Sequence, residues 1–291
     1  MQNKVTRRSF IKRALGSFLT VAGIGAGGYF YAHDIEPKLL DVTRHEIKNR
    51  RLPAGFDGLR IVQFSDTHIG FHYNLDTFEK LIDEINSLAP DIILFTGDLM
   101  DNPNEFNEHE RIVQTLKRLE AEFGKYAIYG NHDHGGYGSD IYKKIIEEAG
   151  FTLLMNESDS VTLLDGSSIY IAGVDDAMLG RPNLGAAIQG IPKDSYTILL
   201  AHEPDHMADL AAKNNIHLQL SGHSHGGQIQ LPFYGPLVTP PLAEVYTEGF
   251  YQVGDGEGMP LYVNRGLGTT RLPFRFLSRP ELSVFTLKSE Q

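Results

Sequence analysis

Five short polar motifs lie between residues 66 and 225, and each contains at least one side chain able to bind a metal ion. They are Asp66-Thr67-His68, Gly97-Asp98-Leu99-Met100-Asp101, Gly130-Asn131-His132-Asp133, Ala201-His202-Glu203 and Gly222-His223-Ser224-His225. Carboxylates, amide oxygens and imidazoles suit borderline and hard ions such as Mn, Fe, Zn or Mg. The chain has no cysteine, which excludes disulfides and thiolate metal sites. The motifs therefore predict a metal site without sulfur ligands.

Each motif follows an apolar run that predicts a buried strand. The predicted strands cover residues 59–65, 91–96, 125–129, 168–174, 196–201, 217–221 and 282–287. Apolar residues at helical spacing predict helices over 75–88, 108–121, 141–149 and 206–213. The alternation of strands and helices indicates a parallel sheet covered by helices. Because open α/β sheets bind ligands at the carboxyl edge of their strands, we expect the motifs to converge there.

Any one of these motifs is weak evidence, since an Asp-x-His sequence is common by chance. The five together, in this order, are specific. They resemble the calcineurin-like metallophosphoesterase superfamily, whose motifs run D-x-H, G-D-x-x-D, G-N-H-D/E, H and G-H-x-H. The resemblance covers residues 57–290 and implies an α/β fold, a four-layer α/β/β/α sandwich of two mixed sheets flanked by helices. Three further segments resemble one bacterial subgroup: Gly222–Leu231, Tyr262–Gly268 and Phe276–Val284.

The resemblance implies two divalent or trivalent metal ions, with Mn, Fe or Zn expected. The resemblance assigns the first ion to Asp66, His68 and His225. It assigns the second ion to Asn131, His202 and His223, and it places Asp98 as a bridge between the two ions. A hydroxide held between two such cations would attack the phosphorus of a phosphoester in line. We therefore expect a metal-dependent phosphoester hydrolase.

Two further residues of the third motif receive catalytic roles from the resemblance. His132 is expected to donate a proton to the leaving group, and Asp133 to orient the His132 imidazole and raise its pKa. An equally good interpretation of Asp133 is that it only fixes the turn. Asp101 is expected to organise the surroundings of Asp98 rather than to bind metal. Many family members carry an arginine where this chain has Asn102, which weakens any role for a guanidinium there.

The arginines of the C-terminal region offer weaker candidates. Arg265 lies in a glycine-flanked loop and is predicted to bind the substrate phosphate, with a structural salt bridge as the alternative. Arg271 and Arg275 are predicted to be solvated charges. After Gly222, glycine, proline and aromatic residues predict loops and short strands that close over the site.

The N-terminal 32 residues resemble a twin-arginine export signal. The sequence Thr6-Arg7-Arg8-Ser9-Phe10-Ile11-Lys12 precedes a mildly apolar stretch over 14–32. This implies use of the twin-arginine export machinery and a location at the outer face of the cytoplasmic membrane, in the cell wall or in the periplasm. The alternative is a membrane anchor of no special pathway, and cleavage at Tyr31–Ala32 stays open. We expect a lead-in segment over 33–55 and a metallophosphoesterase domain over 56–291.

The charge of the chain bears on its substrate and partners. The formal net charge is −11, although the first 13 residues contain five basic residues and no acidic one. An acidic body repels polyanions, so we expect no nucleic-acid partner. We expect a phosphate monoester, diester or pyrophosphate of the envelope, lipid-linked or wall-borne, with membrane or cell-wall association. The alternatives are a nuclease or cyclic-nucleotide phosphodiesterase and, in another class, a noncatalytic metal-binding envelope protein.

Overall fold

Two six-stranded mixed sheets lie face to face in the computed structural model, which describes residues 6–135 and 139–290. The first sheet has the order β1 (Asp41–Asn49), β14 (Glu281–Ser289), β2 (Arg60–Phe64), β3 (Ile92–Phe95), β4 (Lys125–Ala127) and β5 (Thr152–Leu153). The second has the order β12 (Gly249–Val253), β13 (Met259–Val263), β9 (Leu218–Ser221), β8 (Tyr196–Leu200), β7 (Ser168–Gly173) and β6 (Glu157–Thr162). Neighbouring strands are parallel except in the pairs β14–β2, β12–β13 and β6–β7.

Helices cover the outer faces of both sheets. The first sheet packs against α2 (Leu75–Ser87), α3 (His109–Lys117) and α5 (Ser139–Glu148), and the second against α6 (Leu184–Ala187) and α7 (Pro204–Ala212). Side chains alternate across each strand, so Ile61 lies in the core between the sheets while Val62 packs under the helices. The predicted four-layer sandwich is confirmed. A short helix, α4 (Asn131–His134), and a small hairpin of β10 (Gln230–Leu231) and β11 (Gly235–Pro236) complete the elements discussed below.

The predicted lead-in segment is wrong as a separate unit. Residues 41–49 form β1, which runs parallel to β14 in a continuous register from Asp41–Glu281 to Asn49–Ser289. Ile47 and Leu52 are buried in the core between the sheets. The folded domain therefore begins well before residue 56. Its predicted last residue, Gln291, and residues 1–5 of the predicted export signal lie outside the described residues.

The predicted signal segment forms α1 (Arg7–Phe30), which has no buried residue. The Thr6 side chain accepts a hydrogen bond from the Ser9 amide and caps the first turn. Within residues 6–135 and 139–290, no helix is both long enough and apolar enough to cross a membrane. A π-helical turn over Tyr31–Ile35 continues α1 toward the body, where the Ala32 carbonyl accepts a hydrogen bond from the Arg275 amide at 2.9 Å.

Two N-terminal deletions should separate the helix from the domain. Removing residues 1–28 deletes no buried residue of the described helix, so the free energy of unfolding should stay unchanged. Removing residues 1–49 deletes β1 and the buried Ile47, and it should lower that free energy by at least about 2 kcal/mol. Urea unfolding followed by circular dichroism measures both. Equal midpoints for the two deletions would contradict the placement of β1 in the domain.

Candidate metal centre

The carboxyl ends of strands from both sheets meet at one edge of the sandwich. Asp66 follows β2, Asp98 follows β3, Asn131 follows β4, His202 follows β8 and His223 follows β9. Backbone hydrogen bonds hold these loops together: the Asp66 amide donates to the Gly97 carbonyl at 2.9 Å, and the Gly222 amide to the His202 carbonyl at 3.1 Å. The predicted convergence of the motifs is therefore seen, because parallel strands deliver their carboxyl ends to the same edge.

The backbone at this edge is strained at the positions predicted to bind metal. Five of these residues have left-handed backbone: Asp66 (φ 52°), His68 (φ 44°), Asp98 (φ 61°), His223 (φ 66°) and His225 (φ 51°). This conformation costs about 1–3 kcal/mol for each residue with a side chain, and such strain concentrates at functional sites. The backbone at position 130 also lies so close to the Asp98 side chain that only glycine fits, since a Cβ atom there would lie 2.2 Å from Asp98 Oδ1.

Three sets of donor atoms lie here, and the atoms of each set are within 4.8 Å of one another: Asp66, His68 and His225; His68, Asp98 and His132; and Asp98, His202 and His223. We call the first and the last of these sets the two groups. Asp98 Oδ2 lies 3.5 Å from His68 Nε2 in the first group and 3.3 Å from His202 Nε2 in the second. Donor atoms that surround one metal ion at bond lengths of about 2.1 Å are separated from one another by similar distances. The arrangement can hold two cations with Asp98 between them.

Two buried atoms without hydrogen-bond partners support this fit. Asn131 Oδ1 and His202 Nε2 are buried and make no hydrogen bond with the described residues, although Asp98 Oδ2 lies 3.3 Å from His202 Nε2. A buried polar atom without a partner costs about 1–3 kcal/mol, and a bound cation would satisfy both. The histidine tautomers agree: His202 Nδ1 donates to the Thr96 carbonyl at 2.6 Å, and His223 Nε2 to the Pro241 carbonyl at 2.9 Å. These bonds leave His202 Nε2 and His223 Nδ1 free to bind metal.

Burial and neighbouring charges shift the pKa values of the donor residues. Burial and the neighbouring His68 hold the pKa of His225 well below its ordinary value, and burial and His202 lower the pKa of His223 to about 4. Both imidazoles are therefore neutral at pH 7. Burial alone would raise the pKa of Asp98, but His202, His132 and His68 hold it well below its ordinary value. His202 differs from these two imidazoles: burial alone would lower its pKa, but Asp98 and Asp66 raise it well above its ordinary value, so binding of a cation at Nε2 must release a proton.

His132 lies beside both groups and is held by a different residue from the one predicted. Its amide donates to Asp98 Oδ1 at 2.8 Å, and its Nδ1 donates to the Asp101 carbonyl at 2.7 Å. Burial lowers the pKa of His132, but Asp98, Asp101 and, less strongly, Asp133 raise it above its ordinary value. The Asp101 carboxylate also lies 3.3 Å from His68 Nδ1. Asp101 thus contacts the rings of both His132 and His68. The sequence predicted a role for Asp101 near Asp98 but not these two contacts.

Asp133 makes the contacts of the turn-fixing alternative. Its buried carboxylate accepts hydrogen bonds from three backbone amides, at 2.7, 3.0 and 2.9 Å: Asp98, Leu99 and Gly130. None of these donors is the His132 ring, so the expected orienting contact is absent from the structure. Three amide donors need an acceptor with several lone pairs, which a carboxylate supplies. Asp133 therefore fixes the loops that carry Asp98 and Asn131.

Comparison with known proteins agrees with this geometry. The model of the calcineurin-like phosphoesterase family matches residues 59–227. The chain belongs to this family. It is a family of metal-dependent phosphoesterases with two metal ions, and the two donor groups of this phosphoesterase are able to bind them.

Three relatives of this phosphoesterase are informative. It is 49% identical over 286 residues to the metallophosphoesterase YkuE of Bacillus subtilis (strain 168), covering 98% of this chain and 99% of that one. It is 31% identical to the UDP-2,3-diacylglucosamine pyrophosphatase LpxG of Chlamydia trachomatis, covering 92% and 95%. It is 32% identical to a transmembrane protein with a metallophosphoesterase domain from Danio rerio, covering 87% of this chain and 57% of that one.

Arg265, predicted to bind the substrate phosphate, is held in salt bridges in this phosphoesterase. Its Nη2 donates to Asp41 Oδ2 at 2.8 Å and its Nε to Glu281 Oε2 at 3.2 Å. The side chain is only 19% exposed. The salt-bridge alternative is therefore the one that the structure shows. Asp41 begins β1, so Arg265 joins the N-terminal strand to the loop before β14.

Arg275 was predicted to be solvated, and it is wholly buried. Its guanidinium donates hydrogen bonds to four backbone carbonyls: Arg265, Gly266, Gly268 and Ser278. Its Nη2 also lies 3.4 Å from His225 Nδ1. Burial lowers the pKa of Arg275 to about 9, which leaves the group charged at neutral pH. Its position between Phe274 and Phe276 was the one sequence signal that could have indicated burial.

The loop of Arg275 connects the metal centre to the N-terminal segment. Ser278 Oγ donates to the His225 carbonyl at 2.8 Å, and the Ser278 amide donates to Glu36 Oε1 at 2.7 Å. Glu36 is buried although it follows the predicted signal by only a few residues. The backbone of a predicted metal ligand is thus held, through Ser278, by a residue near the start of the domain.

Replacement of the bridging carboxylate should remove metal. Asp98→Asn removes the negative charge shared by the two groups, so one or both ions should be lost and turnover should fall by more than about tenfold. Metal content by mass spectrometry and hydrolysis of bis-p-nitrophenyl phosphate measure the two effects. Asp194→Asn, at an exposed position, is the matched control. Two bound ions at full rate in Asp98→Asn would contradict the bridge.

Replacement of the buried arginine should unfold the loop around His225. Arg275→Ala leaves a cavity and removes the donor of the Arg265, Gly268 and Ser278 carbonyls, whereas the Gly266 carbonyl keeps the Glu281 amide, so the free energy of unfolding should fall by about 3 kcal/mol or more. Arg271→Ala is the control, because Arg271 is exposed and has no ion pair within the described residues. Urea unfolding followed by circular dichroism distinguishes them. Similar effects of the two substitutions would contradict the structural role of Arg275.

Proposed function

We propose that the protein hydrolyses phosphate monoester, diester or pyrophosphate bonds of an envelope substrate, with His132 as the proton donor to the leaving group. The observation that supports this most directly is Asp98, whose Oδ2 lies within 3.5 Å of one donor histidine in each of the two groups. Bound cations would activate the attacking water and stabilise the equatorial phosphate oxygens. Mn, Fe and Zn all suit the oxygen and imidazole donors present.

The protein's own residues orient the donor groups and the acid. The three backbone amides that donate to Asp133 fix the loops of Asp98 and Asn131. The Asp101 carbonyl accepts from His132 Nδ1, so the Nε2 atom is left to donate toward substrate. The His132 ring is 28% exposed, whereas the rings of His68 and His202 are buried. A partly exposed ring beside buried ligands suits transfer of a proton to a departing alcohol or phosphate.

Relatives and the N-terminal sequence support the proposed substrate class. LpxG, similar over most of the chain, is named for cleavage of a pyrophosphate in an acylated nucleotide sugar. The N-terminal segment resembles a twin-arginine signal, which supports export of the folded protein to the outer face of the membrane, the cell wall or the periplasm. A lipid-linked pyrophosphate or phosphodiester of the envelope therefore fits better than a nucleic acid, which the charge of −11 would repel.

A substrate panel tests the proposal against its rivals. We expect hydrolysis of bis-p-nitrophenyl phosphate and of an acylated nucleotide-sugar pyrophosphate, with loss of both activities in chelator and recovery with Mn, Fe or Zn. Cleavage of DNA, RNA or cyclic nucleotides in preference to these would favour the nuclease or cyclic-nucleotide phosphodiesterase. Metal binding without turnover of any of these compounds would favour the noncatalytic protein.

Turnover of substrates with different leaving groups tests the role of His132. His132→Ala should keep both ions but lower turnover by roughly 10²–10⁴-fold for an alkyl leaving group. The loss should be much smaller for p-nitrophenolate, which departs without protonation. His206→Ala, at an exposed position of α7, should change neither rate. Equal losses for good and poor leaving groups would show that His132 does not act as the acid.

A further inference from the structure

An exposed apolar surface lies next to the candidate metal centre. We call residues 229–238 and 270–278 the apolar rim. Large apolar side chains project from it into solvent: Leu231, Phe233, Tyr234, Leu237, Val238, Leu272 and Leu277. Phe233, at the tip of the β10–β11 hairpin, is 110% exposed and has a left-handed backbone with φ 65°. Soluble surfaces seldom collect such residues without a partner, and strained backbone at an exposed tip is also typical of function.

Hydrogen bonds make the two parts of the rim one surface. The Gln230 amide donates to the Phe276 carbonyl at 2.8 Å, and the Phe276 amide donates to the Gln228 carbonyl at 3.0 Å. The Gln228 side chain donates to the carbonyls of Thr270 and Leu272. The hairpin and the loop of Arg275 are therefore held side by side.

The rim also joins the metal centre to α1. Its first part follows directly on the short helix that carries His225, and its second part holds the His225 carbonyl through Ser278. On the other side, the Tyr29 and Phe274 rings lie 5.2 Å apart, and the Tyr31 and Phe276 rings 6.2 Å. The C-terminal end of α1 therefore contacts the apolar rim. This helix has no buried residue, and its N-terminal end is strongly basic.

Three unpaired cationic side chains lie at this surface, although the chain as a whole is acidic. Lys38, Arg271 and Arg279 are exposed and have no ion-pair partner within the residues that the structure describes. Of the nearby carboxylates, Glu248 lies 4.0 Å from Arg265 Nε and Asp34 lies 3.1 Å from His33 Nδ1. Apolar side chains interleaved with cations match the surface of an anionic bilayer, which attracts both.

We propose that the apolar rim docks on an anionic phospholipid bilayer, with the tip of the β10–β11 hairpin inserted among the lipids. Docking through the rim brings the metal centre next to the lipid headgroups. A lipid-linked phosphoester can then reach the donors of His225 and Asp66 while its acyl chains stay in the bilayer. This last step rests on the proposed function, whereas the docking itself does not require activity.

The absence of tryptophan from the chain allows a direct test on the full-length protein. Phe233→Trp places the chain's single tryptophan at the hairpin tip, where its emission can be excited selectively over that of tyrosine. We expect its emission to shift to the blue on addition of vesicles of phosphatidylcholine with phosphatidylglycerol, and much less with phosphatidylcholine alone. Leu164→Trp is the matched control. Leu164 is equally exposed at 110%, but it lies in the β6–β7 turn at the opposite edge of the sheet, so its emission should not shift.

Vesicle sedimentation gives a second measurement. The double variant Phe233→Ser, Tyr234→Ser loses two exposed aromatic side chains, so its partition onto the anionic vesicles should fall by about tenfold or more. Arg271→Glu should also weaken partition, and Leu164→Ser should not. Hydrolysis of the soluble bis-p-nitrophenyl phosphate should be unchanged in the double variant, which separates loss of docking from loss of the metal centre.

Several results would overturn the docking proposal. One is an unshifted emission of Trp at position 233 with anionic vesicles. Another is unchanged sedimentation of the double variant, which would assign binding to α1 alone. A blue shift that grows with protein concentration before any vesicle is added would assign the rim to a second copy of the chain. An inactive protein whose tip still inserts would refute the proposed function and leave the docking proposal standing.

Discussion

The Asp98 carboxylate is the contact on which the rest of the site depends. Its two oxygens lie within hydrogen-bond or ion-pair distance of three motifs, through His68, His202 and the amide of His132. A charge this deeply buried is stable only because cationic or polar partners surround it. The two sheets must therefore meet closely enough for the loops of β2, β3, β4 and β8 to reach one carboxylate. This close approach requires glycine at position 130 and left-handed backbone at five of the predicted metal ligands.

Three further residues keep the site loops in place. Asp133 accepts hydrogen bonds from backbone amides of the loops that carry Asp98 and Asn131, and the Asp101 carbonyl accepts from the His132 ring. Arg275 donates to carbonyls of its own loop, and its Nη2 lies 3.4 Å from His225 Nδ1. Such contacts restrict the ligand geometry before any ion binds, and they explain why buried charge surrounds the centre. The apolar rim extends this support outward, since the same loop that contacts His225 also carries exposed apolar side chains.

The sequence predicted the parts of this protein that depend on local patterns. Runs such as 59–65 and 91–96 became β2 and β3, and the motif order predicted which side chains would meet. The failures concern contacts between distant residues. Arg265 pairs with Asp41, 224 positions away, and β1 is an edge strand in which only Ile47 is fully buried, so its pattern carries little signal. Arg275 is buried by carbonyls that a loop conformation presents, and loop conformation is not encoded by hydrophobic periodicity.

The position of β14 has a consequence for the order of synthesis. The last strand of the chain lies between β1 and β2, two of the first strands to be made. During translation, β1 therefore lacks its partner until residues 281–289 have left the ribosome, because these residues supply its whole register. The first sheet cannot be completed before then, and a nascent chain that stalls before residue 281 exposes two unpaired strand edges.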